Sequence, residues 1–150
     1  MSNTIKLKNY LNVFEEYAAA AAITPGHLIY LNSAGTVAVH ATEDGNVLPM
    51  FAIEDELQGK GIDSAYATGD RVQVWIPTRG DQVNAILKDE ETVVIGTFLT
   101  SAGNGELKAY DATTSVLDAE RPIAVALAAL DLSSSSASSV ANTRIAVRII

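Results

Sequence analysis

Polar and apolar side chains alternate along two short segments of the chain, residues 71–76 and residues 82–87. A period of two is the pattern of a β-strand with one buried face. Between the segments, Pro77 cannot donate a ladder hydrogen bond and Gly80 tolerates a positive φ, so these residues favour a turn. The pattern therefore predicts a β-hairpin over residues 68–87, around which the rest of the chain is organised.

Short apolar segments separated by turn residues recur along the rest of the chain. Turn signals every 8 to 12 residues or so are typical of an all-β sandwich or barrel rather than of alternating strands and helices. We predict one domain with about nine or ten short strands. The clearest are residues 27–31 and 36–41 as a hairpin, 47–53 as a strand buried on both faces, 92–99 interrupted at Gly96, and 143–150 as the closing strand.

The N-terminal residues allow two interpretations. Apolar residues recur at helical spacing there, namely Leu7, Leu11, Phe14 and Ala18. Together with the high helix propensity of the alanines that follow, this spacing predicts an amphipathic helix over residues 6–22. In the alternative, residues 1–14 form an exposed extended arm that continues as a strand over residues 13–22. Propensity alone favours the helix.

The chain of 150 residues is acidic, with a formal net charge of −8 and a pI near 4.6. That balance argues against a nucleic-acid binder, which normally carries a basic stripe, and against adhesion to anionic membranes. Only 19% of the residues are charged. A chain with so few charged residues is consistent with a protein that covers part of its surface by association, and equally with an ordinary compact β domain.

Two histidines, His27 and His40, and no cysteine are available for chemistry. Disulfides, thiolate metal sites and a cysteine nucleophile are therefore excluded, and little remains for a histidine-based triad or a histidine-rich metal site. The two histidines could face each other across the 27–41 hairpin, but no third ligand lies nearby in the sequence. We interpret both as ordinary polar residues of strands.

Three other motifs have plain structural explanations. Glu54, Asp55 and Glu56 lack the ligand spacing of a calcium loop and are interpreted as a solvated loop. Residues 79–81 spell the adhesion tripeptide Arg-Gly-Asp, but a Gly-Asp pair after a turn has a backbone reason of its own. Residues 103–105 (GNG) predict a hairpin turn rather than a phosphate-binding loop. We therefore predict no catalytic residue, no metal site and no cofactor, in a protein that is not an enzyme.

A series of strand and turn motifs follows in order between residues 17 and 107. The motifs are residues 23–29 (ITPGHLI), 50–52 (MFA), 61–63 (GID), 66–72 (YATGDRV), 80–83 (GDQV) and 101–107 (SAGNGEL). Taken together, this part of the chain resembles the head decoration, or cement, proteins of tailed bacteriophages, and the C-terminal strand is similar more loosely. The resemblance rests on turns and strands and not on catalytic motifs.

The resemblance implies a small β-barrel or β-tulip-like sandwich with an extended N-terminal arm, and so favours the second interpretation of the N-terminus. The arm would span residues 1–14 and the decoration domain residues 15–150, with a flexible serine-rich loop at 133–139. The protein would be made in the host cytoplasm and bind the outer surface of the mature phage head as a homotrimer. There it would staple neighbouring major capsid protein subunits and stabilise the shell against internal DNA pressure.

Candidate residues for the contact with the capsid or another partner come from the predicted arm and from the single tryptophan. They are Lys6, Leu7, Lys8, Tyr10, Leu11, Phe14 and Trp75. The lysines are expected to pair with an acidic capsid surface, and tryptophan is enriched at interface hot spots. Deleting residues 2–14 is expected to abolish capsid binding and to leave a folded domain.

The main alternative is a carbohydrate- or receptor-binding β module displayed on a virion. Such a module needs an exposed aromatic platform, which this sequence can supply only if Trp75, Tyr66 and Tyr110 converge. A small β-fold enzyme that uses the carboxylates of residues 54–56 is a third and weaker possibility.

Overall fold

The computed structural model describes residues 2–112, 121–134 and 142–150. Within these ranges the chain forms thirteen β-strands and a short 3-10 helix, so the predicted all-β fold is confirmed. The elements are β1 (Lys6–Lys8), β2 (Phe14–Ala18), β3 (Ile29–Leu31), β4 (Val37–Val39), β5 (Phe51–Ala52), the 3-10 helix (Glu56–Gln58), β6 (Arg71–Trp75), β7 (Gln82–Ile86), β8 (Thr92–Val93), β9 (Phe98–Gly103), β10 (Glu106–Ala109), β11 (Ala124–Ala126), β12 (Leu130–Asp131) and β13 (Arg144–Ile149).

The largest sheet has six strands in the order β1-β7-β13-β11-β9-β10, and each neighbouring pair is antiparallel. The sheet curls into a barrel because β10 returns to the far end of β7, where the Lys88 N–H donates to the Leu107 carbonyl at 2.8 Å. On the same edge of β7, the Asn84 N–H donates to the Ile5 carbonyl beside β1. Closure of this kind removes unpaired strand edges and encloses the main core.

A second layer packs against the barrel. It is the three-stranded sheet β2-β6-β5, whose other face is covered by the β3–β4 hairpin. Its central strand β6 contributes buried side chains to both faces. Trp75 packs into the barrel core with Phe51, while Val72 and Val74 pack into a second core with Ile29.

The predicted hairpin over residues 68–87 is wrong. Its two strands exist as β6 and β7, but they belong to different sheets and do not pair with each other. The turn between them crosses from one layer to the other. It is held by the Asp81 carboxylate, which accepts the Thr78 N–H at 2.8 Å, and by the Gly80 N–H, which donates to the Ile149 carbonyl at 2.9 Å.

The first residues of the chain are part of the domain rather than a free arm. Ile5 is completely buried in the barrel core, and β1 pairs with β7. Phe14, the last residue of the predicted arm, already begins β2. The extended interpretation of residues 6–22 is therefore confirmed over the helical one, because burial and strand pairing outweigh the local helix propensity.

Several other predictions can be compared with the structure. The hairpin in residues 27–41 is confirmed as β3 and β4, and the closing strand as β13. The segment 47–53 is a strand only at Phe51–Ala52, shortly after Pro49, which cannot donate a ladder hydrogen bond. Residues 135–139 of the serine-rich segment lie outside the described residues. No helix in the described ranges is long and apolar enough to cross a membrane.

Candidate interaction surface

Four large apolar side chains are exposed in and beside the connection between β1 and β2. They are Tyr10, Leu11, Val13 and Phe14, and we call them the N-terminal patch. Tyr10 is the most exposed, at 88%. The sequence analysis named all of these except Val13. Val13 could have been included because it lies between Leu11 and Phe14 in the sequence. Neighbouring exposed apolar residues are the usual mark of an interaction site.

The fold holds the N-terminal patch at both ends. The buried Asp81 carboxylate accepts the Tyr10 N–H at 2.7 Å, and Phe14 lies opposite Trp75 in the β2–β6 pair. Asp81 also accepts from Thr78, so it joins the β6–β7 turn to the N-terminal connection. The Arg-Gly-Asp sequence is thus a structural turn whose aspartate is used inside the protein.

A β-bulge at Leu7 separates the two lysines that the sequence grouped together. Lys6 lies opposite Val83 and Lys8 opposite Gln82, which leaves Leu7 as the extra residue. Bulges re-aim side chains in this way. The Lys6 ammonium lies 4.7 Å from the centre of the Phe14 ring and so belongs to the N-terminal patch, whereas Lys8 is exposed on the outside of the barrel.

Trp75 does not belong to the interaction surface. Its side chain is 0% exposed and packs among the residues of the barrel core. The alternation of β6 did place Trp75 opposite Val72 and Val74, on the face of the exposed Arg71 and the partly buried Gln73, but at Trp75 this face is buried as well. The prediction that Trp75 contacts a partner is therefore wrong for the folded chain.

A cleft of about 340 Å³ lies directly beside the N-terminal patch. Lys6, Phe14 and the fully exposed Leu57 line it together with the carboxylate-bearing residues 54–56. Glu54 is not a solvated loop residue, as the sequence suggested, but is buried at the base of the N-terminal segment. Its carboxylate accepts hydrogen bonds from the Thr4 hydroxyl and from the Ile5 N–H, the latter at 3.0 Å.

Replacing Glu54 by alanine is expected to lower the free energy of unfolding by about 1–3 kcal/mol, because the buried Ile5 N–H loses its acceptor. Urea denaturation followed by circular dichroism would measure the change. Glu56→Ala, at an exposed position two residues away, is the matched control and should stay within about 0.5 kcal/mol of the wild type. Equal effects of the two substitutions would contradict this role of Glu54.

The two histidines are structural and do not form a site together. His27 Nδ1 accepts the Thr24 N–H at 3.1 Å, and the His27 ring lies against Gly105, where any added Cβ would stand only 3.0 Å from it. His40 is buried and its Nδ1 lies 2.7 Å from the Ser101 hydroxyl oxygen. Ser101 is itself fully buried, so this hydrogen bond lies inside the fold. The described residues contain no group of three or more ligands that could hold a metal ion.

Burial, with a smaller contribution from the Arg144 charge, lowers the pKa of His27 from 6.5 to about 4. The unfolded chain therefore takes up a proton on His27 as the pH falls below 6.5, while the folded protein stays neutral there until about pH 4. His27 therefore costs the folded protein no stability above pH 6.5, and the free energy of unfolding falls as the pH drops from 6.5 to about 4. At roughly 1.4 kcal/mol per pKa unit, the loss approaches about 3 kcal/mol at most.

His27→Gln is expected to flatten the dependence of the unfolding free energy on pH between about 6.5 and 4. Urea denaturation of both proteins at several pH values measures the two slopes. His40 stays in both proteins, and burial lowers its pKa too, so its contribution cancels in the comparison. Parallel slopes would contradict the assignment to His27.

The fold is a closed β-barrel with a second β layer and an apolar patch where the N-terminal segment joins the two. The same fold occurs in the N base of the head fiber protein gp8.5 of bacteriophage phi29. The two structures superpose with a TM-score of 0.58 over 93% of this chain and 95% of that chain, at 12% sequence identity. No protein-family model and no curated protein sequence matches the chain.

Proposed function

We propose that this protein is a non-enzymatic structural component of a tailed-phage virion, bound to the outer surface of the head. The observation that carries the proposal is the fold it shares, over nearly the whole of both chains, with the base of a phage head fiber protein. The sequence resemblance to head decoration proteins supports the same class independently, because it rests on the order of turn and strand motifs.

In its finer form, the proposal is that of a decoration protein that binds the major capsid protein and staples neighbouring subunits. The N-terminal patch is the contact surface in this proposal. Its apolar residues, Tyr10, Leu11, Val13 and Phe14, would be covered by the shell, and Lys6 beside them would meet an acidic capsid residue. Neither nucleic acid nor membrane is a partner, in keeping with the net charge of −8.

Several such contacts per particle would act together. A homotrimer placed where capsid subunits meet presents three patches at once, and linked contacts bind far more tightly than single ones. A contact made to more than one subunit would then strengthen the shell against internal pressure.

The alternative of a carbohydrate-binding module finds less support in the side chains. Two of the three residues that would have to form its aromatic platform are buried, Trp75 at 0% and Tyr66 at 1% exposed. Tyr66 is also committed to a hydrogen bond with the Ile53 carbonyl at 2.7 Å.

Co-sedimentation with heads purified from the phage that encodes this chain tests the proposal. The purified protein should pellet with the heads at a saturable stoichiometry, and free capsid protein monomers should not capture it. Deletion of residues 2–14 is not a usable control, because it would remove the buried Ile5 and the strand β1. Failure to pellet with intact heads at any concentration would contradict the proposal.

A further inference from the structure

The outer face of the barrel sheet carries a row of residues that runs across five strands. Strand register places Lys8 opposite Gln82, Gln82 opposite Arg148, Arg148 opposite Val125, and Val125 opposite Phe98. Directly opposed residues of an antiparallel pair project to the same side of the sheet. The neighbours Val147 and Leu99 point into the barrel core, so this row points away from it.

One end of the row is basic and unpaired. Among the described residues, no carboxylate forms an ion pair with Lys8 or Arg148, and both side chains are exposed. Arg79, exposed in the turn that leads into β7, is unpaired as well. Five of the other cations, Lys60, Arg71, Lys88, Lys108 and Arg144, each pair with a carboxylate. Lys6 and Arg121, which are not part of the row, form no ion pair among the described residues either. In a chain of net charge −8, unpaired cations gathered on one face call for an explanation.

The other end of the row is apolar. Phe98 is 51% exposed, and the turn just before it exposes Val94 and Ile95 at 63% and 70%. That turn is fixed, because the Gly96 N–H donates to the Ala126 carbonyl and the Thr97 N–H to the Val94 carbonyl. We call the whole surface the basic–apolar face; its residues are Lys8, Arg148, Val125, Phe98, Val94 and Ile95.

The same chain carries a surface of opposite character. Leu57 is fully exposed at the tip of the 3-10 helix, next to the exposed Glu56. Asp55 caps this helix by accepting the Gln58 N–H, and Gly59 ends it at a φ of 69°. The result is a rigid, protruding turn with an apolar tip and acidic flanks, which we call the acidic turn, residues 55–57. None of the hydrogen bonds or ion pairs of the described residues joins it to the basic–apolar face.

We propose that the acidic turn of one copy docks on the basic–apolar face of a second copy. Leu57 would pack against Phe98 and Val125, while Glu56 would approach Arg148 and Lys8. The occupant is a second copy, because both complementary surfaces belong to this chain. Since the two surfaces differ, the contact is head-to-tail and either closes into a ring or extends as a chain.

This inference rests on the proposed function, because it names the surfaces through which copies of the protein would associate. Its test does not involve the capsid. Light scattering of the isolated wild-type protein over a concentration series should show reversible association that weakens as salt is added. A face variant, Lys8→Glu with Arg148→Glu, and a turn variant, Glu56→Lys, should each associate about a hundredfold more weakly or worse, because opposite charges become like charges.

Mixing the two variants provides the sharpest outcome. Copies of one variant repel each other, because the face and the turn then carry like charges. In the mixture, the acidic face of the face variant meets the lysine-bearing turn of the turn variant, and the acidic turn of the face variant meets the basic face of the turn variant. The mixture should therefore regain association that neither protein shows alone. A matched control, Arg71→Glu with Lys88→Glu, makes the same change in net charge at cations outside both surfaces and should associate like the wild type.

Two results would overturn the inference. One is a wild-type protein that stays monomeric at about 100 µM and low salt, which would put any Kd above the range of a useful contact. The other is association that the face and turn variants retain, or that mixing does not restore. Either result leaves the capsid proposal standing if the protein still pellets with phage heads, so the two failures are distinguishable.

Discussion

Trp75→Ala is expected to lower the free energy of unfolding by about 3–5 kcal/mol, the usual cost of emptying a large aromatic site in a core. The side chain is completely buried between β6 and the barrel. Domains of this size are stable by roughly 5–15 kcal/mol in total, so the variant would be marginal. Because Trp75 is the only tryptophan, its unfolding must be followed by circular dichroism rather than by fluorescence.

The control for this substitution is Leu57→Ala. Leu57 is fully exposed, so its loss should change the stability by less than about 0.5 kcal/mol. If Trp75 were a partner contact, its replacement would instead leave stability unchanged and reduce binding. A fully stable Trp75→Ala protein would therefore contradict the packing described above.

Tyr10→Asp combined with Leu11→Asp is expected to weaken binding to phage heads by about a thousandfold, since losing two hot-spot side chains costs roughly 2 kcal/mol each. Both side chains are largely exposed, at 88% and 54%, so the fold should not change. The affinity would be measured by co-sedimentation over a concentration series, with circular dichroism as the check on folding.

Leu48→Asp serves as the control for the N-terminal patch. Leu48 is also an exposed apolar residue, at 62%, but it lines two clefts away from residues 10–14. This variant should bind heads like the wild type. Equal losses from the two variants would mean that binding is a general effect of charge and does not depend on the N-terminal patch.

The sequence predicted strands well and their partners poorly. Period-two alternation correctly located β6 and β7, because it reports which faces of a strand are buried. It could not reveal that β6 pairs with β2 and β5 while β7 pairs with β1 and β13. Pairing depends on contacts far apart in the chain, and a short turn with Gly-Asp suits a crossing between layers as well as a hairpin.

The candidate surface was predicted only in part, because it too depends on contacts between residues far apart in the chain. Tyr10, Leu11 and Phe14 could be named because several apolar residues in a polar N-terminal segment are conspicuous. Trp75 was misplaced, because the polar neighbours Arg71 and Gln73 suggested an exposed face that the barrel in fact covers at Trp75. The separation of Lys6 from Lys8 depends on a bulge at Leu7, and no residue type in that segment predicts a bulge.

The role of the first residues also had to come from the structure. Ile5 looks like one apolar residue in a polar arm, yet it fills the barrel core and receives support from Glu54, which lies far along the chain. The N-terminal patch is therefore displayed by a rigid support and does not depend on ordering a free arm. A preorganised surface loses less conformational entropy on binding than a flexible one.

The decisive measurement is cryo-electron microscopy of phage heads saturated with this protein. We expect density for the β-barrel on the outer surface of the shell at fixed lattice positions, with residues 10–14 turned toward the capsid protein. Heads without added density, or bound protein whose N-terminal patch faces solvent, would contradict this expectation.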